Sequence, residues 1–331
     1  MIAKKENEFQ VGVSVIIVTW NHRDFLPHCI ESLSNQTYPS IEVLVIDNAS
    51  IDGSVEWLHD HAPFVRLIQL DQNTGFAHAF NLGVNETAGE FIISLNPDVT
   101  IAQDFIENLI TAVGQDPQIG MVAPKLLRAD DKQRLDSTGL FLNRQRRPYD
   151  RGQMQVDYGQ FDQSTEVFGA CGAAALYRRS MLEQTAIDQE YFDEDFFAYY
   201  EDADLAWRAR LYGWRCVFAA KAVAKHVRGW GDTLRKRPDL PHRSEGPRMA
   251  LRNHYLMIMK NDSLKGFLED CPSIILTEVP RLFYMALFRQ RALIGMIDYI
   301  RLLPRTKKKR NIIQKNRKVS NWAIRQWFNQ Q

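Results

Sequence analysis

Short apolar runs rich in Val and Ile recur through the first third of the chain, separated by stretches whose apolar residues return with helical period. That alternation predicts an α/β domain in which parallel strands are covered by helices on both faces. The runs VSVIIVT (13–19), IEVLVID (41–47), VRLIQL (65–70) and EFIISLN (90–96) read as its first four strands. Between them, 26–36 puts Leu26, Ile30 and Leu33 on one stripe, and 54–61 starts after Asp52-Gly53, where Asp52 or Ser50 can cap it. Residues 75–89 read as a helix ending near Gly89, and 103–116 as another.

The rhythm fails from about residue 125. The stretch 128–158 is polar and basic without a clear period, which predicts a long excursion or irregular hairpin. Order returns at 167–184, and a dense acidic and aromatic segment then leads to Gly213. There Asp202 can cap a helix with Leu205, Ala209 and Tyr212 on one face, Asp204 can pair with Arg208 one turn on, and Gly213 can end it. CVFAAKAVAKH, ending at His226, reads as a strand; beyond Pro247 the pattern is helical, with Pro272, Pro280 and Pro304 as punctuation.

With 45% hydrophobic and 24% charged content, the 331 residues suit a globular chain and exclude disorder, collagen and a disulfide-stapled miniprotein. The 41 basic and 40 acidic side chains nearly cancel, so no overall field favours nucleic acid. Their placement is uneven: residues 299–331 hold ten Lys or Arg and no Asp or Glu. Trp322, Trp327 and Phe328 are interleaved with them, which predicts an amphipathic anchor on an anionic membrane surface in preference to a solvated tail. The four cysteines form no CxxC, which fits a reducing cytoplasm and suggests neither zinc nor disulfides. The polar start, and the Trp-Asn-His-Arg that ends the first apolar run, predict a buried strand instead of an export signal. No stretch is expected to span a membrane, because Glu278, Pro280 and Arg281 interrupt IILTEVPRLFYMALF.

In open parallel sheets, ligands bind beyond the carboxyl ends of the strands. Thr19 and Asn21 leave the first strand, Asp47 and Asn48 the second, Asn73 follows the third and Asn96-Pro97-Asp98 the fourth. Singly these are also turn formers; four consecutive strands ending this way point to a ligand edge. Neither GxGxxG nor a P-loop occurs, so a diphosphate bound there must be neutralised otherwise. A divalent metal, Mg²⁺ or Mn²⁺, on a strand-end carboxylate would do so, with Asp98 the leading candidate. His226, followed by a Gly/Trp turn, is a candidate second ligand, and Asp47 can accept a hydrogen bond from a pyrimidine N–H or a ribose hydroxyl. Glu201-Asp202 at a helix start suits either a cap or a general base, since the helix dipole keeps a carboxylate there ionised. Six carboxylates crowd residues 193–204 among Phe and Tyr, more than caps require. His59 and His61, at i,i+2 on a helix, do not share a face and read as solvated.

The segments SVIIVTWNHRDFLPHCIESLSNQTYPSIEVLVIDNASIDGS, NTGFAHAFNLGV, FIISLNPDV, GAAALYRRSM, FDEDFFAYYEDADLAWRARLYGW and KHVRG, over roughly residues 12–232, resemble family 2 glycosyltransferases of the GT-A fold. Within that family they look most like the rhamnosyltransferase-type enzymes of bacterial cell-surface polysaccharide synthesis. The resemblance implies a GT-A nucleotide-diphospho-sugar transferase fold with a mostly parallel central sheet and a helical C-terminal extension. It also implies an inverting reaction, in which an acceptor hydroxyl attacks the sugar's C1 in line and a metal-bound nucleoside diphosphate departs. By position, Thr19, Asn21 and Asp47 are implied to hold the nucleoside, with Asn48, Asn73, Asn81 and Asn96 counted among the donor-binding residues. Asn96-Pro97-Asp98 stands at the metal-binding DxD, Asp202 matches the catalytic base of the ED motif beside Glu201, and His226 completes the metal site. Two positions depart from the pattern: Asn96 replaces the first DxD carboxylate, and Phe80 stands where many relatives carry an Arg for the diphosphate.

The expected organisation is a catalytic domain over 1–240, with a nucleotide-binding half at about 12–125 and an acceptor half at about 126–240, followed by a basic helical extension over 241–331. A nucleotide-sugar donor such as dTDP-L-rhamnose, a glycan or lipid-linked acceptor, and a cytoplasmic location at the inner face of the cell membrane are implied with it. Two other readings stay open on the residues: a sugar nucleotidyltransferase, for which the first loop is poorly basic, and a non-catalytic nucleotide-binding module.

Overall fold

The computed structural model describes residues 12–163, 166–227 and 245–329. The polar start, the Gly/Trp turn beyond Val227 and the expected boundary at 240/241 lie outside the described residues. Strands and helices alternate as the pattern predicts: β1 (Val13–Thr19), α1 (Leu26–Ser34), β2 (Ile41–Asp47), α2 (Ser54–His61), β3 (Arg66–Gln69), α3 (Phe76–Asn85) and β4 (Phe91–Leu95). The short β5 (Val99–Ile101) and α4 (Phe105–Val113) follow. The cap position of α2 belongs to Gly53, not to Asp52 or Ser50; Asp52 lies just before it, its Oδ1 accepting from the Ser54 N–H at 3.1 Å. Helix α3 stops at Asn85, short of Gly89, because Thr87 Oγ1 turns back onto the Gly83 and Val84 carbonyls and Arg179 takes up the carbonyls of Val84, Thr87 and Gly89.

Strands β3, β2, β1 and β4 are parallel neighbours. The sheet then turns mixed: β11 (Ala174–Arg178) runs antiparallel between β4 and β6 (Ile119–Arg128), and β12 (Arg215–His226) lies parallel to β6. The rhythm expected to fail at 125 persists through β6 to Arg128. Pro124 within β6 is tolerated because the register of β12 shifts there, between Ala219 and Val223. Residues 128–158 do form the irregular excursion: β7 (Leu135–Ser137) adds to β6, and β8 (Leu140–Leu142) pairs with β9 (Pro148–Asp150) as a separate hairpin. The two-residue β10 (Glu166–Val167) edges β12.

Two apolar layers cover the sheet. Leu26, Ile30, Leu33 and Leu58 of α1 and α2 and Phe105 and Leu109 of α4 cover one face. On the other, Phe80 of α3 packs against Tyr177 and Phe192, with helices α5 (Arg179–Thr185) and α6 (Glu201–Leu211) beside it. Asp204 lies 3.6 Å from Arg208 on α6 as predicted, and Gly213, at φ +91°, closes that helix. Asp202 is in its first turn; the cap position itself belongs to Tyr200.

The C-terminal region differs from its prediction in three ways. First, α7 (Gly246–Asn261), α8 (Leu264–Phe288) and α9 (Gln290–Lys315) run straight through Pro272, Pro280 and Pro304, which were expected to end helices. All three prolines are exposed, so the carbonyls they leave unbonded can reach solvent. Second, α8 is long and apolar enough to cross a membrane by length and composition, with only 11% of its apolar window buried. Its charges are few enough to pass that test. Third, Trp327 and Phe328, read as lipid anchors, pack inward. Trp327 lies over the Arg210 guanidinium at 4.1 Å and Phe328 against Trp207 at 5.3 Å; only Trp322, 73% exposed, faces outward. The short α10 (Asn321–Arg325) leads into them.

Buried charge joins this region to the sheet. Lys260 of α7 bonds Asp193 and, at 2.9 Å, Asp204; Lys309 of α9 bonds Glu190 at 2.8 Å, Asp195 at 3.0 Å and Asp193. Arg146, fully buried, meets Asp262 at 2.9 Å and Asp270 at 2.7 Å. Burial alone would raise the Asp193 pKa, but the two lysines outweigh it and hold the carboxyl well below the usual aspartate range. Its stabilising contribution is therefore present above the unfolded value near 4 and lost as pH falls below it. Removing one partner of a buried ion pair costs about 3–5 kcal/mol. We expect Lys260→Met to lower unfolding stability by about that amount at pH 7, measured by urea titration, with the deficit shrinking as Asp193 becomes protonated in acid.

Candidate active site

The polar strand ends converge as the fold predicts. Thr19, Asn48, Asn73, Asn96, Asp98, Glu201, Asp202 and His226 all line one cleft of about 990 Å³. Topology brings the two halves together. Asp98 follows β4, and Gly172 precedes β11, its antiparallel neighbour, with Ala174 opposite Leu95. The Asn96 N–H donates to the Ala173 carbonyl at 2.8 Å, while the Gly172 N–H donates to Asp202 Oδ2 at 2.9 Å. The segment 171–173 therefore connects the Asn-Pro-Asp turn to the first turn of α6.

At the nucleotide side, Thr19 Oγ1 and Asp47 Oδ1 are buried without a hydrogen-bond partner among the described residues. Asp47 Oδ2 accepts from the Ser50 N–H at 2.9 Å, and burial raises its pKa despite that bond. Asn48 and Asn73 build the loop that starts α3. Asn48 donates to the Gly75 carbonyl at 3.0 Å and accepts from the Thr74 N–H at 3.0 Å, while Asn73 Oδ1 accepts from the Gly75 N–H at 3.0 Å. Gly75 is required there: its φ is +88°, and a Cβ would meet the Phe197 ring at 2.6 Å. Three predicted residues, Asp47, Asn21 and Asn81, do not line the cleft. Asn21, at φ +57°, ties its loop to Ser50 and Ile51. Asn81 is buried and clasps Phe192 through both ends of its amide, also donating to Glu194. His59 and His61 are exposed and remote from the cleft lining.

On the diphosphate side, His226 Nδ1 is 2.8 Å from Asp136 Oδ2 and its Nε2 is 3.5 Å from Asp98 Oδ2. Burial opposes protonation of this imidazole, but the two carboxylates outweigh it and lift the pKa to about 9. Asp98 Oδ1 is buried and unpartnered among the described residues. His22, which sequence reasoning did not single out, also lines the cleft; burial pushes its imidazole down to about 4. Asp136 was missed as well. It sits in the excursion read only as polar, and nothing in its local sequence marks it.

Asp202 Oδ1 accepts from the Ala203 N–H at 2.7 Å in addition to its bond from Gly172. Burial raises its pKa and these backbone donors oppose the rise. Glu201 has one oxygen with no partner, and burial together with the Asp202 charge pushes it up to about 8. The two carboxyls therefore titrate as a coupled pair, with burial raising both and the backbone donors restraining the rise on Asp202. The loop before them is strained: Phe197, Tyr199 and Tyr200 all have φ between 64° and 72°. Asn253 of α7 holds it, with its amide nitrogen 2.8–3.0 Å from the carbonyls of Phe196, Ala198 and Tyr199.

The sequence model described as Glycosyl transferase family 2 matches residues 14–185, more than half of the chain. The protein belongs to that family. A curated relative, the N-acetylglucosaminyl-diphospho-decaprenol L-rhamnosyltransferase of Mycobacterium tuberculosis, is 30% identical over 239 residues, which are 64% of this chain and 75% of that protein. Of solved structures, S. aureus TarS 1-349 in complex with UDP-GlcNAc superposes with a TM-score of 0.60 at 17% identity, covering 92% of this chain and 87% of that one. GalNAc-T7 with UDP, GalNAc and Mn²⁺ gives 0.58 at 13% identity, over 77% of this chain and 48% of that one. These likenesses establish the GT-A fold, and the chain is a family 2 glycosyltransferase.

In this glycosyltransferase, Asn253→Ala would remove the amide shared by three loop carbonyls, of which, among the described residues, Phe196 alone keeps other donors, from Arg252 and the Ala198 N–H. We expect a loss of about 1–3 kcal/mol in stability and a fall in kcat larger than any change in donor affinity, because the loop carries Glu201 and Asp202. Thermal melting and steady-state kinetics check both; an unchanged melting point would show that the loop holds itself.

Proposed function

We propose that this glycosyltransferase inverts the anomeric centre of a nucleotide-diphosphate sugar, with dTDP-L-rhamnose the donor to test first, and transfers it to a hydroxyl of a glycan or lipid-linked acceptor in cell-surface polysaccharide synthesis. The rhamnosyltransferase relative supports the donor and the polyprenol-linked acceptor class. The observation that carries the reading is that Asp98 and Asp202 face one cleft, joined through residues 171–173.

Asp202 is the general base: its carboxylate, directed by two backbone N–H groups that favour its charged form, takes the proton of the acceptor hydroxyl as it attacks C1. Glu201 beside it is pushed up to about 8 by burial and by the Asp202 charge. Thr19 and Asp47, with oxygens still to be bonded, are suited to the nucleoside, and Asn48 and Asn73 act by shaping its loop. The residues near Asp98 fit a divalent cation. Asp98 offers an unpartnered buried oxygen, and His226 presents Nε2 on the same side because Asp136 fixes Nδ1, the arrangement by which an outer carboxylate orients a ligand histidine. Among the described residues no group of three or more such ligands gathers, so a hard cation there would rely on Asp98, His226, water and substrate phosphate. Mg²⁺ or Mn²⁺ bound there would act as a Lewis acid on the leaving diphosphate.

Asp202→Asn is expected to lower kcat by about 10²- to 10⁴-fold while leaving the donor Kd unchanged in calorimetry. Retained transfer would sink the reading, and pyrophosphate release from a nucleoside triphosphate and a sugar phosphate would favour a nucleotidyltransferase. Asp136→Asn should weaken Mn²⁺ binding roughly 10- to 100-fold, read by the Mn²⁺ resonance signal independently of turnover.

A further inference from the structure

Helix α8 is amphipathic, with two of its three acids, Asp270 and Glu278, turned inward. Gly266, Asp270, Ile274 and Glu278, spaced by one turn, are buried against the protein. Leu268, Ile275, Leu276, Val279, Phe283 and Leu287 are 52–76% exposed. At about 100° per residue these six fall within an arc of about 120°. Ile294, Ile297 and Ile300 of α9, 41–61% exposed, extend the outward apolar surface past the turn, where Phe288 is 70% exposed. Surfaces of this extent are uncommon on proteins that contact only water.

The charge around this face has one sign. Lys265, Arg289, Arg291 and Arg301 are exposed, whereas the exposed Glu269 is taken up by Arg325. Apolar residues rimmed by Lys and Arg, with Phe and Tyr at the helix end, match the boundary between anionic headgroups and acyl chains. Although α8 could span a bilayer by length, Asp270 is held by Arg146 and Arg325, and Glu278 by Arg147 and Tyr255. Crossing would strip both carboxylates of these partners. An orientation in the plane of the interface keeps them. The turn between α8 and α9 also adjoins the active cleft, because Pro247 lines both that cleft and the groove formed by Leu287, Phe288 and Arg289.

We propose that the outward face of the α8–α9 hairpin seats this protein in the plane of an anionic lipid surface, with the cleft mouth at Pro247 opening beside the headgroups. The use of this surface, delivery of a lipid-linked acceptor, rests on the proposed function; the surface itself does not. The test mixes the full chain with vesicles of phosphatidylcholine alone or containing about 30% phosphatidylglycerol, followed by flotation. The chain should float with the anionic vesicles and less with the neutral ones, with the difference shrinking at high salt. A Leu276→Ser/Val279→Ser/Phe283→Ser variant should keep its melting temperature and its transfer to a soluble acceptor while binding at least about tenfold more weakly. Arg289→Gln/Arg291→Gln should lose only the preference for anionic vesicles. A chain that floats with neither vesicle overturns the proposal, as does a dimer in solution that the triple variant dissociates, which would assign the face to a second copy. Flotation without sugar transfer would support this surface while counting against the proposed function.

Discussion

Asp193 sits between two lysines from different C-terminal helices, and the placement of the segment leading into α6 depends on that charge cluster. Each ion taken out of water costs several kcal/mol unless its partners are well placed, so Lys260 and Lys309, both almost fully buried, commit α7 and α9 to positions against the acidic segment. The same segment then passes through Phe197, Tyr199 and Tyr200 in left-handed conformations that cost of order 1–3 kcal/mol each. Such a path persists only when its surroundings over-determine it. Asn253 supplies that restraint from the middle of α7, between the elements that the lysines hold. The first turn of α6, with Glu201 and Asp202, is therefore located by helices from the end of the chain.

Within the cleft, two adjacent carboxylates are driven apart by unequal hydrogen bonding. Both are desolvated, but Asp202 receives two backbone N–H groups that favour its charged form while Glu201 leaves an oxygen bare. On the opposite wall the same principle works through His226, whose tilt toward Asp98 is set by Asp136 at its far nitrogen. An Asn at position 96 then removes one negative charge from a site that already holds Asp98 and Asp136. With fewer carboxylates competing for His226, its second nitrogen is directed at Asp98 alone.

The nucleotide half was legible because its signals are local. Strand β1 reads as seven consecutive buried residues, and turn-forming polar residues stand at the carboxyl ends of β1, β2 and β4. The motif resemblance identified Asp98, Asp202 and His226, which do share a cleft. What stayed hidden depends on long-range pairing. Strand β6 was obscured by Pro124, which is acceptable only opposite a bulge contributed by β12. Asn81 looked like a donor contact but is occupied by Phe192, a partner far along the chain. The basic tail was misread most: its periodicity shows charge and aromatics, yet Lys309, Trp327 and Phe328 find their partners inside, on residues that only the fold brings near.

That misreading and the hairpin surface have one physical origin. Along the sequence, Glu278 and Arg281 count against the apolar character of α8, and Lys309 and Trp327 count toward an interfacial tail. The folded chain reverses both assignments. Arg146 and Arg147 draw Asp270 and Glu278 of α8 inward, leaving an outer face without charge from Pro272 to Phe288, while the acidic segment before α6 draws Lys309 of the tail inward. Ion pairing thus decides which helical faces remain for the outside. The charges that brace the loop before α6 are of the same buried set as those that orient α8, so the position of Glu201 and Asp202 and the apolar surface beside the cleft are consequences of one electrostatic arrangement.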